Sequence, residues 1–165
     1  MQKKSGFTLI ELVMIIVILG IVALAVMPKT MAEPRVKLEA ACQKIASDLR
    51  YAQEMALAQQ VRFGISFDIA NEAYFAYRVS VATKARDPQT RNNFDVSFVT
   101  LNEFKGIDIA STNFSNKVEF DSIGAPYDGN GVILSSQGVI TLQAQAGAYS
   151  RTVRIEPKTG KVSIQ

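Results

Sequence analysis

One carboxylate stands inside the most apolar stretch of this chain. Residues 7–27 read FTLIELVMIIVILGIVALAVM, and Glu11 is the sole ionisable side chain among them. At about 1.5 Å per residue, a helix of this length crosses a hydrocarbon layer of roughly 30 Å. Lys3 and Lys4 precede it, and the positive-inside tendency leaves the N-terminus in the cytoplasm and carries everything after Met27 across. A carboxylate costs about 3 kcal/mol at the centre of a bilayer and less near its edge. Glu11 therefore calls for a positively charged partner. A carboxylate and an amine that are each expensive in lipid offset much of that cost by pairing.

Other reactive residue types are sparse. The chain has no histidine and one cysteine, Cys42, which leaves little for a metal centre or a nucleophile dyad and rules out an intrachain disulfide. Cys42 reads as a small buried residue on a helix with no redox role. Asp121, Asp128 and Asn130 offer oxygen ligands beside glycines, but their spacing matches no EF-hand, so solvated turns are expected. Tyr74, Phe75, Tyr77 and Phe63 read as core packing and strand cover rather than a stacking platform. Paired catalytic carboxylates and a glycine-rich phosphate loop are also missing, so no enzyme, cofactor or metal is expected.

An ordinary secretory signal peptide, cut near Ala23-Leu24-Ala25, is the plainest alternative for the leading segment. Glu11 argues against it. The run Gly6-Phe7-Thr8-Leu9-Ile10-Glu11 behind a short basic leader resembles the processing signal of type IV pilins and of the pseudopilins of type II secretion. That resemblance implies cleavage after Gly6 by a prepilin peptidase, N-methylation of the new terminus at Phe7, and pairing of Glu11 with the terminal amine of a neighbouring subunit during assembly.

These residues must be carried by a helix and followed by a domain. The 165 residues, 48% apolar, allow one small domain beyond the anchor. Loss of residues 1–6 would remove two of the 18 basic residues and leave 16 against 15 acidic ones. So balanced a charge is unlike a strong nucleic-acid binder. Gly20 and Pro28 are expected to interrupt the long helix, and Pro34 to disturb it again. From Val36, the residues Leu38, Ala41, Cys42, Ile45, Leu49, Ala52, Met55, Ala56 and Gln59 form one apolar stripe at intervals of three and four. Asp48 falls off that stripe. Lys44–Asp48 and Arg50–Glu54 are spaced to pair on the helix surface.

At Arg62 the period drops to two. Phe63, Ile65, Phe67 and Ile69 alternate with polar residues, Asn71-Glu72 is a turn, and Phe75, Tyr77, Val79 and Val81 alternate again, which predicts a hairpin. Residues 82–93 read as a loop. Further strands are expected over 95–101, 106–109, 117–120, 132–135, 139–143, 152–155 and 161–164, with turns at the intervening glycines and prolines. The fold class is α+β: a long N-terminal helix, membrane-spanning and then amphipathic, packed on a mostly antiparallel β domain of one or two sheets. The boundaries are a leader at 1–6, a transmembrane helix at 7–28, its amphipathic continuation at 29–61 and a periplasmic β domain at 62–165.

Most of the chain carries a second, softer resemblance. Residues 49–56 (LRYAQEMA), followed by 61–67 and by Val118-Glu119-Phe120, Gly138-Val139-Ile140, Arg151-Thr152-Val153-Arg154-Ile155 and Thr159-Gly160-Lys161-Val162, are similar to the GspH/FimT group of minor pseudopilins and minor pilins. The resemblance implies a structural subunit of a periplasmic filament, held in the bacterial inner membrane by a single pass before assembly. Its implied partners are other pseudopilins or pilins, prepilin peptidase, the inner-membrane assembly platform and membrane lipid. The leading expectation is a minor pseudopilin of a type II secretion pseudopilus, and the alternative is a FimT-type minor type IV pilin acting in pilus assembly or DNA uptake. FimT-like minor pilins bind DNA through a basic C-terminal motif, which makes Arg151 and Arg154 candidate DNA-binding residues. Ser150 stands where that motif has glycine, and a solvated strand face is the favoured reading.

Overall fold

Seventeen residues with a single ionisable side chain make α1, Leu9–Ala25. The computed structural model describes residues 8–25, 33–81, 83–87 and 90–165 and divides into two units, Met1–Ala32 and Glu33–Gln165. In the first unit, the large apolar side chains from Leu9 to Val22 are all exposed. A helix apolar on every side is suited to an apolar environment or to packing against others of its kind. The helix passes through Gly20, so the expected interruption there is absent; a glycine weakens a helix by about 1 kcal/mol without removing a hydrogen bond. At 17 residues α1 is about 25 Å long. No helix among the described residues is long and apolar enough to cross a membrane. Phe7 and residues 26–28, which complete the expected span, lie outside the described residues, as does Pro28.

The second unit begins with α2, Pro34–Gln59, with proline in the first turn, where the missing N–H costs nothing. The helix stops at Gln60, which turns left-handed at φ 54°. Leu38, Ala41, Cys42, Ile45, Leu49, Ala52 and Ala56 are buried as the stripe requires, whereas Met55 is half-buried and Gln59 exposed. Asp48 corrects the reading: it is buried on the core side, not outside the stripe. Lys44 does pair with it, at 2.8 Å. Arg50 does not make the expected surface pair; its guanidinium donates to the Val162 carbonyl at 3.1 Å and ties the helix to the end of the chain.

Ten strands follow: β1 Phe63–Asp68, β2 Ala73–Arg78, β3 Thr83–Lys84, β4 Asp95–Ser97, β5 Ile107–Thr112, β6 Lys117–Phe120, β7 Pro126–Asp128, β8 Gly138–Ala144, β9 Tyr149–Ile155 and β10 Val162–Ile164. One sheet has the order β3-β2-β1-β6-β7, with β4 also paired to β2, and the other runs β10-β9-β8-β5. The strand pairs described are antiparallel. Helix α2 lies against β1 and β6 of the first sheet and β5, β8, β9 and β10 of the second. Its stripe thus closes one core with Ile65, Val118 and Phe120 from one sheet and Ile109, Ile140, Leu142, Val153 and Ile155 from the other. Each such side chain contributes about 1.5–3 kcal/mol when fully buried.

The β1–β2 hairpin forms as expected, but the face of β2 is inverted. Tyr74 and Ala76 are buried, and Phe75 and Tyr77 are only half-buried on the opposite side. The register explains it: Phe67 faces Tyr74 and Ile65 faces Ala76, and directly opposed residues share a face. The hairpin ends at Arg78, since Val79–Val81 forms a 3-10 turn. Three further differences follow from turn chemistry. Residues 82–93 are not all loop, because β3 pairs with β2 there. The expected strand at 95–101 stops at Ser97. A strand at 132–135 is not formed, and Val132 and Ile133 are exposed. Instead Pro126 opens the edge strand β7, a place where a missing donor is tolerated.

Candidate assembly site and candidate binding arginines

Helix α1 places Glu11 in its first turn, where the unpaired amides of a helix start favour negative charge. The Glu11 backbone N–H donates to the Thr8 hydroxyl at 3.4 Å. Thr8-Leu9-Ile10-Glu11 is a capping-box sequence, a signal present in the chain that the motif reading above passes over. The same residue types that resemble a processing signal therefore also start the helix. Glu11 is exposed, so its carboxylate is open to a partner from outside. Gly6 and Phe7, the expected cleavage and methylation positions, lie outside the described residues.

Arg151 and Arg154 both lie on β9, three residues apart, so strand alternation sends their side chains to opposite faces. Arg151 is on the helix side and pairs with Glu39 of α2 at 3.3 Å. Arg154 is half-buried on the outer face, in register with Val139 and Ser163. Its Nε is buried and has no hydrogen-bond partner among the described residues. The structure does not bring the two guanidinium groups together into one patch.

The remaining candidates are used internally. Cys42 is fully buried in α2, and desolvation, with Glu39 adding to it, pushes its thiol up to about 12, so it stays protonated and unreactive. Asp121 Oδ1 accepts the amides of Ile123 and Ala125, and Asp128 Oδ1 those of Asn130 and Val132. These carboxylates are braces of their own turns. No group of three metal-binding side chains is found among the described residues. Asp48 carries the most demanding electrostatics. Its carboxylate accepts Tyr74 Oη–H at 2.6 Å and Lys44 Nζ–H at 2.8 Å. Burial still raises its pKa above the ordinary 3.8 against the opposing hydrogen bonds.

A helix lying across two antiparallel sheets and an exposed apolar helix with one acid in its first turn describe a building element. Comparison with protein families agrees. Residues 41–160, from the N-terminal third of α2 to the turn before β10, match the family described as type II transport protein GspH. The chain belongs to the GspH family. Residues 1–27 match the prokaryotic N-terminal methylation motif. GspH proteins are structural pilin-like subunits, not enzymes, and membership implies assembly with other pilin-like subunits. No curated protein matches the chain in sequence. Among solved structures, the fold is similar to the minor pseudopilin EpsH from the type 2 secretion system of Vibrio cholerae, with a TM-score of 0.58 and 10% identity over 78% of this chain and 96% of that one. It is also similar to the type IV minor pilin FimU of Pseudomonas aeruginosa, at 0.54 and 13% over 78% and 92%. The expected α+β, pilin-like class is therefore the observed one.

Proposed function

We propose that this chain is a minor pseudopilin, a structural subunit of a type II secretion pseudopilus. The observation that carries the reading is the GspH match over residues 41–160 placed behind a methylation motif at 1–27. In this reading prepilin peptidase cuts after Gly6 and Phe7 becomes the methylated N-terminus. Residues 7–28 hold the subunit in the inner membrane, with the β domain in the periplasm. Glu11 meets the N-terminal amine of a neighbour when the assembly platform adds the subunit. The exposed apolar surface of α1 then exchanges lipid for neighbouring helices, a swap between similar environments in which the charge pair supplies direction. A type IV minor pilin is the second reading, favoured by the fold shared with FimU. Its DNA-uptake version would have to work with Arg151 engaged by Glu39 and Arg154 on the other face of β9.

Deleting the gene and restoring it as wild type or as Glu11→Ala separates these readings. The secretion reading predicts that exported enzymes accumulate in the periplasm of the deletion strain, that wild type restores their release, and that Glu11→Ala inserts in the membrane but restores little. Normal secretion with lost surface pili or lost DNA uptake would assign the subunit to a pilus instead.

A further inference from the structure

The core face of β2 ends in a charge. Alternation puts Arg78 on the same side as Tyr74 and Ala76, and its register partner on β1 is the buried Phe63. Arg78 Nε is buried and has no hydrogen-bond partner among the described residues. Arg78 is also one of the residues lining a cleft of about 470 Å³ between the C-terminal half of α2 and the segment around β3. Tyr51, Met55 and Phe63 give the cleft an apolar floor, and Arg86 and Arg91 stand with Arg78 around it. Of the other charged lining residues, Lys84 is neutralised by Asp95 at 2.7 Å. Asp87 stands close enough to the Tyr51 hydroxyl to add to the effect of burial on its pKa. Three guanidinium groups over one acid leave the lining cationic.

We propose that this cleft binds an acidic peptide segment of a partner protein, with a carboxylate on Arg78 and an adjacent apolar side chain against Tyr51, Met55 and Phe63. A guanidinium fork matches a carboxylate in two parallel hydrogen bonds, and the cationic lining favours an acidic ligand. Tyr51 is already stacked on Phe94 and Phe63 is buried, so the floor offers an apolar side chain a contact surface rather than a free ring face on which a base could stack. The near balance of 16 basic and 15 acidic residues after position 6 points the same way. This assignment does not depend on whether the subunit serves secretion or a pilus, and it is separate from the arginines of β9.

The test uses the full-length protein in a nonionic detergent and the capped peptide Ala-Leu-Glu-Leu-Ala as probe, measured by calorimetry. The expected result is saturable binding that weakens with salt and falls about tenfold or more when glutamine replaces the glutamate. Arg78→Gln lowers affinity by a similar factor, and Arg154→Gln leaves it unchanged. Arg91→Gln, at an exposed position that does not support the core, gives a smaller loss and guards against misfolding of the Arg78 variant. Absent binding, or equal binding of the glutamate and glutamine peptides, overturns the proposal. Tighter binding of a short oligodeoxythymidine that displaces the peptide would replace it with a nucleic-acid site.

Discussion

Asp48 is the residue at which folding and charge are most at odds. Its carboxylate is buried against Tyr74 and Lys44, and desolvation outweighs both donors, so its folded pKa is raised. A raised carboxylate pKa means that the folded state binds the proton more tightly than the unfolded chain does. The stabilising contribution is complete below the ordinary value of 3.8 and is lost as pH rises through the raised folded value. Glu72 adds a contribution of the same sign, chiefly through desolvation. Asp48→Asn, which keeps an acceptor for Tyr74, should flatten the fall in unfolding free energy between acid and neutral pH. Asp48→Ala should cost about 1–3 kcal/mol at acid pH by leaving the Tyr74 hydroxyl unpaired, and less as pH rises, because the wild-type contribution itself falls. Urea titrations of the three proteins across pH check both; an unchanged slope in Asp48→Asn would remove Asp48 as the cause. Sequence spacing placed the Lys44–Asp48 pair correctly and its burial wrongly. A polar residue beside an apolar stripe reads as surface until its partner, Tyr74, is known from the sheet.

The elements were legible where the apolar period was unambiguous. Helix α2 and strand β1 each have one apolar face; β1 starts at Phe63 where the period changes, whereas α2 begins at Pro34 and not at residue 29. β2 was harder to orient because both of its faces are apolar, Tyr74 and Ala76 on one and Phe75 and Tyr77 on the other. Only pairing with β1 decides between them. β7 was hidden by Pro126, which reads as a turn residue and serves as an edge-strand start. Gly64 shows what the pairing demands in return. It is the second residue of β1, between β2 and β6, and a Cβ there would meet the Val118 carbonyl at 2.7 Å, with Tyr77 and Glu119 close behind. The Tyr77 hydroxyl donates to Glu119 at 2.6 Å directly over this position. Gly64→Ala should therefore destabilise the domain by about 1–3 kcal/mol, since a backbone carbonyl in β6 cannot step aside. Gly20→Ala, where a new methyl meets nothing within 4 Å, serves as the control. Equal melting temperatures for the two variants would contradict the tight packing at β1.

At the scale of the whole molecule, the two units have opposite requirements. The second closes its own core, with α2 laid over both sheets. The first has its large apolar side chains from Leu9 to Val22 exposed and needs something outside itself to cover them. That contrast was legible from composition alone, as was Glu11, because an acid in such a run is conspicuous. The cationic cleft around Arg78 was not, since its three arginines are separated in sequence and meet only when β3 returns beside β2. In the proposed reading, this chain is processed into a filament subunit that keeps its apolar helix. The most direct test is the intact mass and N-terminal sequence of the protein extracted from membranes of cells carrying the matching peptidase. A filament subunit should begin at N-methylated Phe7, with Glu11 and all of α1 retained. A chain beginning near Val26 would show an ordinary signal peptide and contradict the filament reading.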